Sequence, residues 1–179
     1  MLEVDDQGWA IQPVTALAIE EAWSLLSSEA EARIDAARWG HQAKTFFAAK
    51  LSVVQEKRYP AGTLPLADAV DIDIAPLRAP EKISRVRVVT LPLDRAPSIR
   101  SAAMQGAIAI GGAGMDVLVA RGRRLWQIGA RPDGIDDRAP LAVAAVIASV
   151  LLAPILPPGG GTIFGVKGAR LRLEAQGWR

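Results

Sequence analysis

The chain has 179 residues, half of them apolar and about a fifth charged, which is the composition of one folded domain rather than of a disordered segment. Its 21 basic and 19 acidic side chains leave a net charge of only +2, so nothing electrostatic argues for a nucleic-acid partner. The lack of cysteine excludes disulfides, zinc–thiolate sites and cysteine nucleophiles, and a single histidine excludes multi-histidine metal centres; the sequence leaves any cofactor unknown.

In chain order, residues 1–13 form an entry segment ending at Pro13. It has neither the basic start nor the apolar stretch of a signal peptide, so a cytoplasmic protein is expected. From Thr15 to about Arg58 there is no proline and the apolar spacing is helical, predicting a pair of helices divided near Ser27-Ser28. Ser28 and Glu31 have the spacing of a capping box, in which each side chain satisfies a free backbone N–H at the helix start. The second helix would turn Ala32, Ala36, Trp39, Ala43, Phe46, Phe47, Leu51 and Val54 inward. After a loop at Pro60, Gly62 and Pro65, residues 69–74 and 83–91 alternate with period two, as strands with one wet face do. Asp71 and Asp73 share one strand face and Arg85 and Arg87 another; if the strands pair, cross-strand ion pairs follow. A short helix is predicted over 97–105. Residues 116–120 and 124–128 read as a hairpin turning at Gly122, followed by a polar loop over 130–138.

Residues 139–166 carry no ionisable side chain, and 141–156 are apolar except for Ser149. A membrane span needs about 20 apolar residues; Pro154 interrupts this run, and the uninterrupted part covers only roughly 20 Å at 1.5 Å per residue. The expectation is a buried core helix and no membrane span. From Thr162 a strand leading into a short helix is favoured over a hairpin. The whole reads as one α+β domain over residues 1–179: a helical third (13–58), a sheet-rich part (67–130), and a buried helix with a C-terminal segment (138–179). In that reading the helical pair packs on a mainly antiparallel sheet.

Two glycine clusters are the candidate ligand contacts. Gly111-Gly112-Ala113-Gly114 fails the dinucleotide fingerprint, because Val117 stands where the third glycine belongs and the following residues read as a strand. Gly159-Gly160-Gly161 precedes Lys167, but Val166 intervenes after Gly165 and no Ser or Thr follows the lysine, so the phosphate-loop mechanism fails too. Glycines can still turn backbone N–H groups onto an anion, with Lys167 and Arg170 to close over it. Asp116, beside the first bend, and His41 are the candidate acid–base groups. His41 lies about 200° around the helix from Trp39, between Arg38 and Lys44. The five tryptophans are dispersed, as core residues are, rather than grouped as a base-stacking platform. The functional expectation is a small-molecule-binding protein or enzyme for a phosphate- or carboxylate-bearing ligand at the glycine bends. The alternative is a non-catalytic accessory or assembly protein that works through its helical surface and self-associates.

Overall fold

The computed structural model describes residues 3–54, 62–130 and 136–178. The expected end of the second helix at 55–58, the loop residue Pro60 and most of the polar loop at 131–135 lie outside them. The two alternating segments form β3 (Ala69–Pro76) and β4 (Ser84–Pro92), which pair antiparallel with Asp71 opposite Arg87 and Asp73 opposite Arg85. Each arginine grips its carboxylate with two guanidinium nitrogens. For Arg85 and Asp73 the distances are 2.8 and 2.9 Å, and Arg87 holds both oxygens of Asp71. These are partly exposed pairs, each worth a few tenths of a kcal/mol to about 1 kcal/mol, enough to fix register rather than to hold the sheet together.

The sheet has six strands in the order β2-β3-β4-β5-β1-β6, every neighbouring pair antiparallel. Here β1 is Ala22–Ser27, β2 Ala49–Val54, β5 Arg124–Gly129 and β6 Ile155–Leu156. The helices are α1 (Ala36–Phe46), α2 (Pro97–Ala109), α3 (Met115–Ala120), α4 (Ala139–Leu151) and α5 (Val166–Ala175). The protein is therefore α+β.

Within residues 13–54 the chain does not form the expected helical pair. A single 3-10 turn (Ile19–Glu21) leads into β1, an inner strand between β5 and β6. Five of the six β1 residues are buried, so no wet face marks the period of two, and a short apolar run of this kind looks the same as a buried helix. The Ser28–Glu31 capping box is unused; Asp35 caps α1 instead, its carboxylate accepting the Arg38 N–H at 3.1 Å. The helix stops at Phe46, Ala48 turns into the left-handed region (φ 48°), and the chain continues as the edge strand β2. The expected 116–128 hairpin is also replaced. Residues Met115–Ala120 form α3, which buries Val119, while β5 pairs with β1 and β4.

Helix α4 packs across β1, β3, β4 and β5, with α1 and α5 on its flanks. Every residue from Ala139 to Ala148, and Leu151, is buried. Its one hydroxyl, Ser149, donates back to the Val146 carbonyl at 2.6 Å, so no polar group is left to satisfy. Among the described residues no helix is long and apolar enough to cross a membrane. Beneath α4, Trp39 and Trp126 meet edge to face, ring centroids 6.0 Å apart.

On the opposite face α2, α3 and the N-terminal segment cover Leu26, Val89, Leu91 and Leu125. The buried side chain of Gln127 clasps that segment: its Oε1 accepts the Leu17 N–H at 2.7 Å and its Nε2 donates to the Leu17 carbonyl at 3.0 Å. Asp68 accepts the Ala10 N–H, and Arg95 donates to the Val14 carbonyl. Thus side chains supply the pairing that a further strand would otherwise provide.

Two predictions follow from this packing. Leu152, which caps α4, holds a left-handed conformation (φ 53°, ψ 39°) while 76% exposed. Leu152→Gly therefore relieves backbone strain at no packing cost and should raise stability by roughly 0.5–1 kcal/mol, read as a higher melting temperature; an unchanged or lower one contradicts this account. Gln127→Leu leaves both Leu17 backbone groups without their partner, at a cost of about 1–3 kcal/mol. Hydrogen exchange should quicken at the Leu17 amide, and exchange at the wild-type rate would count against the clasp.

Candidate functional site

A concave feature with charge around it lies between the end of α1 and the length of α5. Two residues after Phe46 the chain bends at Ala48, and this leaves the two adjacent phenylalanines pointing differently. Phe47 is buried, whereas Phe46 is half exposed. Two adjoining cavities open here, of about 250 and 430 Å³, with Phe46, Phe47 and Arg170 in the walls of both. Lys44, Thr45, Ala48, Leu77, Leu173, Glu174 and Trp178 also line the first; Gln42, Ser149, Val166 and Lys167 also line the second. Together they make an apolar trough with cations along its rim.

Three cations reach the rim. Arg170 is paired with Glu174 one helical turn on, its Nε 3.2 Å from the carboxylate in an exposed setting. Lys44 and Lys167 are also exposed and have no ion-pair partner among the described residues. Among the described residues Glu174 is the only carboxylate lining either cavity.

A latch fixes one wall of the trough. Trp178 donates its indole N–H to the Phe47 carbonyl at 2.9 Å. Arg138 lies over the Trp178 ring, 5.3 Å from its centroid, and donates to the Gln176 carbonyl at 3.0 Å. The same guanidinium is held by Asp136, with Nη2–Oδ2 at 2.6 Å and Nε–Oδ1 at 2.8 Å. The Arg138 hydrogen bonds hold the Asp136 carboxyl below its ordinary range, and outweigh the partial burial that acts the other way.

The residues singled out in the sequence fall in separate places. Lys167 and Arg170 lie together on the trough rim. Gly159, Gly160 and Gly161, all at positive φ, line a different cavity of about 280 Å³ with Ile19, Ala102, Gln105, Gly106, Ala109 and Thr162. There α2 presses on the glycine loop so closely that a Cβ at Gly106 would stand 2.4 Å from the Gly161 carbonyl oxygen. Gly111, Gly112 and Gly114 make the bend between α2 and α3 and line none of these three cavities. That bend opens a six-residue helix rather than a strand, although Val117 still breaks the dinucleotide spacing. Asp116 sits in the first turn of α3 with its carboxylate against Gly112. His41 is on the exposed side of α1 and, like Asp116, lines none of the three cavities.

Lys44, Phe46, Phe47 and Trp178 escaped the sequence reading. Phe46 and Phe47 fit one apolar helical stripe in the sequence, and it is the end of α1 at Phe46 that separates them. Among the described residues no group of acidic or histidine side chains is arranged to hold a metal ion. One buried side-chain polar atom among them lacks a partner, Trp126 Nε1, and Trp126 lines none of the three cavities.

No protein family, curated protein or solved structure matches the chain.

The latch has a pH signature. Because the folded-state pKa of Asp136 is depressed, its contribution to stability is present above the unfolded value of about 3.9 and is lost as pH falls through the folded one. Asp136→Asn should melt below wild type at neutral pH, and the difference should close as the pH is lowered below about 4. A deficit that stays constant across the titration would show that the ion pair is not its source.

Proposed function

We propose that this protein binds a small amphipathic anion, a phosphate- or carboxylate-bearing molecule with an apolar body, in the trough between α1 and α5. The observation behind this reading is the pairing of a half-exposed phenylalanine and an apolar floor with Lys44, Lys167 and Arg170 on the rim. Burial of the ligand's apolar part against Phe46, Phe47, Leu173 and Val166 would supply affinity, and the rim cations would set the sign and position of its head group. Exposed charges of this kind select and orient more than they bind.

The reading moves the anion site away from the glycine bends. Among the described residues the cavity beside Gly159–Gly161 has no charged side chain in its lining, whereas both halves of the trough have at least one cation. Among the trough residues Glu174 is the only carboxylate and is already engaged by Arg170, an arrangement that favours binding over acid–base chemistry.

Thermal melting with decyl phosphate and decanoate, below their micellar concentrations, tests this against inorganic phosphate and acetate. The amphiphiles should stabilise the protein, by about 2.7 kcal/mol at 100 times Kd, and the short anions should not. Phe46→Asp and the double change Lys167→Glu with Arg170→Glu should each abolish the shift. An equal response to all four anions, none at all, or a shift retained by both variants would sink the proposal.

A further inference from the structure

The bend between α2 and α3 has a chemistry of its own. From Ser101 to Ala120 the only ionisable residue is Asp116, and its carboxylate is folded back against Gly112. The exposed large apolar side chains of this hairpin are Ile108 (66% exposed), Ile110, Val117 (47%) and Leu118, and the polar Ser101 and Gln105 are exposed further back along α2. The bend itself projects from the body: Gly111 and Gly114 have nothing within 4 Å of where a Cβ would stand, and Gly112 is close only to Asp116. Such a tip presents aliphatic side chains and backbone to whatever it meets.

Cations stand at its base. Arg121 caps α3, three and four residues after Leu118 and Val117, and so lies on the same helix face. Arg123 follows, exposed. Neither has a side-chain partner among the described residues, whereas the neighbouring Arg100 and Arg124 are used, Arg100 on the Gly122 carbonyl and Arg124 on Ala30 and Thr90.

We infer that the α2–α3 tip is a docking surface for an anionic lipid bilayer, with Ile108, Ile110, Val117 and Leu118 entering the interface and Arg121 and Arg123 meeting the phosphates. An apolar wedge flanked by cations matches a surface that is apolar within and anionic at the head groups. It fits a second copy of the chain poorly. Four partly exposed side chains offer a few hundred Å², against the ~800 Å² per partner that a stable protein interface buries. Two cations beside the apolar patch would also repel their symmetry mates in an isologous dimer.

Flotation with vesicles tests the inference, using equimolar phosphatidylglycerol and phosphatidylcholine against phosphatidylcholine alone. The full chain should float with the anionic vesicles at low salt and not with the neutral ones. Val117→Asp with Leu118→Asp should cut the bound fraction at least about tenfold, and Arg121→Glu with Arg123→Glu should remove the preference for anionic lipid. Because the chain has no cysteine, Val117→Cys can carry a single polarity-sensitive fluorophore. Its emission should shift to the blue on the anionic vesicles, and the same label at Ile83→Cys, in the β3–β4 turn, should not shift. No flotation, flotation kept by both tip variants, or equal shifts at the two labels would overturn the inference. So would a dimer in light scattering that Val117→Asp with Leu118→Asp disperses, since the tip would then be a contact between copies. The trough variant Phe46→Asp should float as wild type does, which keeps the two proposals separable.

Discussion

A helix with no polar side chain to spare has to be covered on all sides, and α4 imposes that requirement on the rest of the molecule. Its alanines and valines permit close approach to the sheet, and ten consecutive buried residues leave no direction facing water. The sheet supplies the floor, and α1 and α5 supply the walls. The trough exists because those two walls do not meet where α1 ends early at Phe46. Both of its halves are thus a by-product of covering α4, lined with apolar surface that the same requirement brought there.

The second face of the sheet is held differently. Where α2 and α3 do not reach, the N-terminal segment is bound by side-chain hydrogen bonds from Gln127, Asp68 and Arg95 to its backbone. Such contacts contribute about 1 kcal/mol each, less than the burial of one large aliphatic side chain. They give this layer position more than strength. The two faces thus differ: α4 is held by burial of its side chains, and the N-terminal segment by burial together with hydrogen bonds to its backbone.

What could be read in the sequence follows from which elements face water. Strands β3 and β4 were legible because Asp71, Asp73, Arg85 and Arg87 lie on a wet face and give the pattern its period of two. Strand β1 was not, since both of its faces are dry and its apolar residues fit a helix as well. Over the six residues of α3, helix and strand patterns cannot be told apart by period either. Of the candidate site, Lys167 and Arg170 could be chosen as cations near a bend. Phe46 was absorbed into a helical stripe that the turn at Ala48 cuts short. The separation of the two glycine clusters from those cations is a fact of tertiary packing, carried by the contact of Gly106 with Gly161, and no local pattern encodes it.

The position of β1 has a consequence for the order in which the chain can assemble. Its partners, β5 and β6, follow it by about a hundred residues or more, whereas β2, β3 and β4 form a meander of near neighbours. On a ribosome the meander can pair while the rest is still being made, but β1, the first strand synthesised, has no edge to join until β5 emerges. Until then Leu25 and Leu26 stay uncovered, and α4, which packs on this strand, has yet to be made. The chain's earliest strand is therefore among its last to be fixed, and the interval in between is when its apolar residues are open to wrong partners.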